Sequence, residues 1–158
     1  MKPLMDKYPR LFQGEPSLLG LGLPLGWFAI MDEALAQIDA LLDDEQASKF
    51  SVDQVKEKFG VLRIHLGLQP VLVGREENGW PIYEDDQPSD ELVSVMREAR
   101  KFTDAASQKS AYTCAACSAP GRLRSPATGD AVWMLTLCDA CNRIPRRELV
   151  LYPAESKP

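Results

Sequence analysis

The sequence predicts an α+β fold with two main helices, a small antiparallel sheet and a C-terminal zinc ribbon. Three observations support this: two stretches have apolar residues at helical spacing, one short stretch has them at alternate positions, and four cysteines form two pairs. A chain of 158 residues is long enough for one domain. We expect an irregular N-terminal arm (1–26), an α+β body (27–109), a zinc ribbon packed on the body (110–147) and a C-terminal tail (148–158).

The arm is rich in Pro and Gly and has no sustained period, so we expect it to lie over the core without regular structure. From Trp27 onward, apolar residues recur every three to four positions with acidic residues between them. This spacing predicts the first helix, which is expected to end between Asp43 and Gln46.

Residues 59–66 alternate between apolar and mixed positions, which predicts a strand. Residues 71–73 and 80–83 flank Asn78-Gly79, a pair that favours a two-residue hairpin turn because both residues tolerate positive φ. Ser89 can cap a second helix, whose apolar face runs to about Gln108 and leads directly to the first cysteine.

The four cysteines form two C-x2-C pairs separated by 20 residues, Cys114 with Cys117 and Cys138 with Cys141. This doubled spacing is typical of a structural zinc site, in which two tight knuckles complete a tetrahedron of sulfurs. With four thiolates bound, no position remains for a reactive water, so the predicted ion is structural. The alternatives are a redox dithiol and two coincidental pairs, but the βαβ pattern expected beside a redox dithiol is absent.

The residues between the pairs predict a ribbon. Residues 122–124 form one expected strand, residues 125–130 a turn, and residues 131–137 a second strand that packs on the second helix. Tyr112 and Trp133 are available to stack on a base, although we expect both to lie in the core.

Charge is distributed unevenly along a chain whose net charge is -5. Residues 1–108 hold 11 basic and 19 acidic residues, whereas residues 109–147 hold six and two. The basic segment offers five arginines for phosphate or an acidic partner: Arg122, Arg124, Arg143, Arg146 and Arg147. Alternatively, these arginines only balance the charge of -2 that four thiolates and one zinc ion carry.

The acidic run Glu84, Asp85 and Asp86 has two interpretations as well. A solvated loop is the simpler one, and a contact with a basic partner surface, as a phosphate mimic, is the functional one. No catalytic constellation is present: His65 is the only histidine, and phosphate-loop and nucleophile-elbow motifs are missing. We therefore assign no catalytic residues and expect the protein not to be an enzyme.

The most apolar run, residues 18–31, is shorter than a membrane-spanning helix. A signal peptide is disfavoured because acidic residues interrupt the run and the helical pattern continues through the only candidate cleavage site. We expect a cytoplasmic protein that does not bind membranes, with reduced thiols available for metal.

Several fragments together carry a resemblance to known proteins: Trp27-Phe28, the Lys-Glu-Lys-Phe-Gly segment (residues 56–60) followed by Leu62-Arg63, and the cysteine pairs. This combination resembles a group of small, uncharacterised proteins encoded by phages and prophages. In that group a Gly often follows each knuckle, whereas Ser118 and Asn142 stand here. The resemblance implies a phage or prophage origin and a role in redirecting host machinery or inhibiting a bacterial defence system, but no site residues.

The leading hypothesis is a non-enzymatic, zinc-stabilised binding protein that acts by protein contact on a host complex, in the host cytoplasm if phage-encoded. The alternative is a nucleic-acid-binding zinc ribbon that uses the arginines around the metal.

Overall fold

The computed structural model describes residues 1–12, 23–69, 72–83, 88–124 and 134–143. Within these ranges the fold is α+β, as predicted, with five α-helices and three antiparallel strand pairs. The helices are α1 (Lys2–Lys7), α2 (Phe28–Leu41), α3 (Asp44–Ser48), α4 (Asp90–Ser110) and α5 (Asp139–Asn142). The strands are β1 (Phe50–Lys58), β2 (Val61–Leu68), β3 (Leu72–Arg75), β4 (Pro81–Tyr83), β5 (Arg122–Arg124) and β6 (Leu135–Leu137). Strand β1 pairs with β2, β3 with β4, and β5 with β6.

The core forms where α4 packs against both α2 and the β1–β2 hairpin. Every third or fourth residue of α2 is buried, from Ile30 to Ile38, because a helical period of 3.6 places these side chains on one face. Helix α4 begins as expected, since the Ser89 hydroxyl accepts a hydrogen bond from the Leu92 amide at 3.2 Å. Both predicted helices are therefore confirmed, but α2 ends at Leu41, before the expected end between Asp43 and Gln46, and Asp43 instead caps α3.

The N-terminal arm differs from the irregular segment that we expected. Residues 2–7 are helical and Pro9–Leu11 form a 3₁₀ turn, with Leu4, Tyr8 and Leu11 buried in the core. These three side chains are spaced as on one face of a helix, over a stretch too short to reveal a sustained period. The Tyr8 hydroxyl then donates to the carboxylate of Asp32 in α2 at 2.8 Å, which fastens the arm to the body. Residues 13–22 lie outside the described ranges.

The predicted strand over residues 59–66 is confirmed in part, since β2 begins only at Val61. Phe59 and Gly60 form the turn from β1, with φ values of 54° and 79°. The sequence did not reveal β1 as a strand because a bulge at Asp53 shifts its register. Val52 and Val55, both buried, are consequently three residues apart rather than two.

The hairpin at Asn78-Gly79 is confirmed, with a different turn from the predicted one. The Gly79 amide donates to the Glu76 carbonyl and the Glu76 amide to the Trp80 carbonyl, which encloses a three-residue loop. Within this loop only Gly79 has positive φ, at 88°. This arrangement is a type I turn followed by a glycine bulge, the next most common hairpin geometry after the two-residue turn.

Candidate metal centre

The first cysteine knuckle follows directly from the end of α4. The Cys114 amide donates to the Ala119 carbonyl at 2.7 Å, and the Ser118 amide donates back to the Cys114 carbonyl at 3.0 Å. Ser118 adopts a φ of 65°, a left-handed conformation that glycine adopts most easily. Its hydroxyl donates to the Gly26 carbonyl at 2.9 Å, a bond that glycine could not make. This bond offsets the strain of a serine at this position.

The second knuckle lies at the start of α5. The sulfur of Cys138 accepts a hydrogen bond from the Cys141 amide at 3.4 Å, and the Asn142 amide donates to the Cys138 carbonyl at 3.0 Å. Asn142 is part of the helix, so the left-handed conformation expected after a knuckle is found only at Ser118. A single helical turn thus presents both thiols to the same side.

Strand pairing brings the two knuckles together. Residues 122–124 of β5 pair with residues 135–137 of β6, and the Ala115 amide donates to the Thr136 carbonyl at 2.8 Å. All four sulfurs consequently lie within 4.8 Å of one another. The predicted set of Cys114, Cys117, Cys138 and Cys141 is therefore a cluster in space as well as in sequence.

The sulfur geometry fits a single tetrahedral ion. A tetrahedron with metal–sulfur bonds of about 2.3 Å has edges of about 3.8 Å, and the sulfurs of Cys117 and Cys138 are 3.6 Å apart. None of the four cysteines is in a disulfide. Cys114 and Cys141 are buried, whereas Cys117 is exposed, so the site lies at the edge of the core with access from solvent. The four cysteines can hold a metal ion.

The thiols influence one another's protonation. The Cys141 amide lowers the pKa of Cys138 to about 7, because an N–H that points at the sulfur stabilises the thiolate. The sulfurs of Cys117 and Cys138 raise the pKa of Cys141, because a hydrogen bond to a neighbouring sulfur stabilises the protonated thiol, and charge repulsion from Cys114 adds to this effect. A divalent cation would remove this repulsion and allow all four groups to ionise.

The metal centre is attached to the body at two places that the sequence did not reveal. At the first, the Gly26 amide donates to the Ala115 carbonyl and the indole N–H of Trp27 donates to the Thr113 carbonyl, both at 2.8 Å. At the second, the buried Thr136 hydroxyl donates to the Gly60 carbonyl at 2.7 Å. We expected the ribbon to pack on the second helix; these hydrogen bonds join it to the segment before α2 and to the β1–β2 turn.

Two of the arginines predicted around the metal, Arg122 and Arg124, form ion pairs with a carboxylate. Arg122 and Arg124 both donate to the carboxylate of Asp139, at 3.1 Å in the case of Arg122. Arg124, followed by Arg122, lowers the pKa of this carboxyl. Arg143 is exposed, and Arg146 and Arg147 lie outside the described ranges. The ion pairs of Arg122 and Arg124 with Asp139 are an arrangement that neither of the two alternatives for these arginines predicted.

The remaining predicted positions lie apart from the cysteine cluster or outside the described residues. The positions outside the described residues are Glu84, Asp85, Asp86 and Trp133. Tyr112 was expected in the core, but its side chain is 76% exposed. It follows the last turn of α4, where the chain leaves the helix face that packs on the body.

The fold and the site together define a small α+β protein with four clustered cysteines. Comparisons with known proteins gave no match to a protein-family model, a curated protein or a solved structure. In the part of the chain that the structure describes, no helix combines the length and apolar character needed to cross a membrane.

Proposed function

We propose that the protein is a non-enzymatic binding protein whose C-terminal third is stabilised by one structural zinc ion. The observation that carries the proposal is the convergence of four thiols within 4.8 Å, from two knuckles joined by a strand pair. Four thiolates at tetrahedral spacing favour zinc, and they leave no open position for a substrate or a reactive water. The ion's role is then to hold the ribbon against Gly26, Trp27 and Gly60.

The test of the zinc site is elemental analysis of the purified full-length chain, combined with substitution of each cysteine by serine. We expect one zinc per chain, and loss of zinc in every cysteine variant. Asn142→Ala is the matched control, because Asn142 is exposed, adjoins Cys141 and supplies no thiol. Absence of both zinc and iron from the native protein would overturn the proposal.

We further propose that the partner is a protein complex of a bacterial host and that the chain is phage- or prophage-encoded, with inhibition of a defence system as one role. Support comes from the resemblance described above and from the acidic residues that dominate positions 1–108. The run Glu84, Asp85 and Asp86 would engage a basic surface of that partner.

This contact is tested by affinity capture from a bacterial lysate with the zinc-loaded chain and a variant in which Glu84, Asp85 and Asp86 are lysines. Capture of the same partner by both proteins would show that the acidic run does not contact the partner. The control reverses three exposed carboxylates elsewhere, Asp6, Glu45 and Asp104. It has the same net charge as the first variant and is expected to retain the partner.

A further inference from the structure

The turn between β1 and β2 has an unusual residue at its tip. Lys58 and Val61 are paired, so Phe59 and Gly60 form a two-residue loop in which both have positive φ. A turn of this type favours Asn-Gly or Gly-Gly, because a bulky side chain in the left-handed region clashes with its own backbone. Phe59 is therefore held in a conformation that its side chain disfavours.

Burial of the ring does not offset this strain. The Phe59 side chain is 54% exposed, and the ammonium group of Lys58 lies 5.3 Å from the centre of the ring. The turn beneath it is firmly held, because the Gly60 amide donates to the Glu57 carboxylate at 2.6 Å and the Gly60 carbonyl accepts from Thr136. Strained residues that a rigid surrounding holds in place are characteristic of binding sites.

The hairpin face beside this ring is basic. Residues of one face alternate along a strand, and cross-strand pairing places Lys56 opposite Arg63 and Gln54 opposite His65. In the described part of the chain, neither Lys56 nor Arg63 forms an ion pair. Two unpaired cations side by side are notable because the net charge of the protein is -5. Glu57 is directed away, toward the Gly60 amide.

A groove continues this basic face along the open edge of β2. Among the described residues, strand β2 pairs with β1 alone, and on its other side the Leu62 amide donates to the Ser110 hydroxyl of α4 at 2.8 Å. The groove between β2 and α4 has a volume of about 280 Å³. Its polar lining comprises Arg63, His65, Arg100, Thr103 and Ser107, with Asp104 as the carboxylate.

We propose that this surface, defined by Lys56, Lys58, Phe59, Arg63 and Arg100, binds single-stranded nucleic acid. The exposed ring would stack on a base, and the cations would contact successive phosphates. Lysine suits phosphate contacts but is depleted at protein interfaces, which favours a nucleic acid over an acidic protein. An aromatic tip suits unpaired bases, and the acidic remainder of the chain disfavours a long duplex. This activity goes beyond the proposed function and does not use the arginines near Asp139.

The test is fluorescence anisotropy of labelled thymidine and uridine strands of about 12 nucleotides with the zinc-loaded full-length chain. We expect binding that weakens between about 50 and 200 mM salt, with a logarithmic slope of about -2 to -3 for three to four phosphate contacts. Phe59→Asn is expected to weaken binding roughly 5- to 150-fold, the loss of one stacked base. Because Asn suits this turn, the variant's melting temperature should equal or exceed that of the wild type.

Two further variants locate the surface. Arg63→Gln should weaken binding and make the salt slope shallower by about 0.7. Trp80→Ala is the control for a general aromatic effect, since Trp80 is 70% exposed on the other hairpin, and Arg122→Gln is the control for the arginines near the metal. Both controls should bind like the wild type.

The proposal would be overturned by no binding at low salt, by wild-type affinity in Phe59→Asn, or by loss of binding in Arg122→Gln with full binding in Arg63→Gln. Equal competition by polyglutamate would also overturn it, because charge alone would then explain the binding. None of these results affects the zinc content, so failure here is distinguishable from failure of the proposed function.

Discussion

Gly26→Ala tests whether the metal centre depends on its contact with the body. A β-carbon at Gly26 would lie within 3.0 Å of the Cys114 carbonyl oxygen, 2.7 Å from the Ala115 oxygen and 2.8 Å from the Ala115 carbonyl carbon. All three atoms are backbone, so the first knuckle must move as a unit to accommodate a methyl group. That movement would stretch the bonds from Gly26 to Ala115, from Ser118 to Gly26 and from Trp27 to Thr113.

The size of the effect follows from these three hydrogen bonds. Each contributes about 0.5–1.5 kcal/mol net, so their loss is expected to reduce the free energy of unfolding by about 2–4 kcal/mol. For a chain of this length that corresponds to a decrease of roughly 4–16 °C in melting temperature. Urea unfolding of the zinc-loaded protein measures the first quantity, and competition with a coloured chelator measures the accompanying loss of zinc affinity.

Gly79→Ala is the matched control for Gly26→Ala. Gly79 has a φ of 88°, and a β-carbon there would meet no atom within 4 Å. The Gly79→Ala variant is therefore expected to lose only about 1–2 kcal/mol of stability, from the unfavourable left-handed backbone of an alanine, and to keep its zinc affinity. If Gly26→Ala has the same free energy of unfolding and the same zinc affinity as the wild type, the first knuckle does not depend on its contact with residue 26.

Three other perturbations have defined outcomes. Ser110→Ala leaves the buried amide of Leu62 without its hydrogen-bond partner, and urea unfolding should show a decrease of about 1–3 kcal/mol in the free energy of unfolding. Ser94 lies on the exposed face of the same helix, so Ser94→Ala should leave the free energy of unfolding almost unchanged. Lys7 lowers the pKa of the Asp32 carboxyl below 3.8, so this contact stabilises the fold above that pH and is lost as the pH falls through the lowered value. Asp32→Asn should therefore show a weaker loss of stability below pH 3.8 than the wild type; equal slopes in acid unfolding would refute this. Chelation of the metal should increase hydrogen exchange in residues 111–124 and 134–143 well before residues 28–41, and uniform exchange would contradict a locally acting ion.

The long elements could be predicted because their signals are local. In α2 and α4, burial repeats with the helical period over 14 and 21 residues, and the cap at Ser89 marks the start of the second. The β1 strand could not be predicted in the same way. Its bulge at Asp53 becomes visible only when β2 is laid beside it, because a register shift is a property of two strands.

The candidate site shows the same division. The four cysteines of the candidate site could be predicted because two C-x2-C pairs in one chain are typical of a metal site. The role of Arg122 and Arg124 could not be predicted, since it depends on Asp139, which follows β6 and is brought near by the pairing of β5 with β6.

The sequence by itself determined the fold class, the two main helices and the four cysteines that can hold a metal ion, because short-range spacing sets helical faces and cysteine pairs. Tertiary structure decided what the metal centre rests on and which charges remain free. Gly26 and Gly60 gain their importance from contacts with the ribbon, dozens of residues away. The same holds for Phe59. Its exposed ring and strained backbone follow from the two-residue turn between Lys58 and Val61, which the sequence did not predict. Local spacing determines which helix and strand faces are apolar, whereas packing between distant segments determines which of these faces stay exposed to solvent.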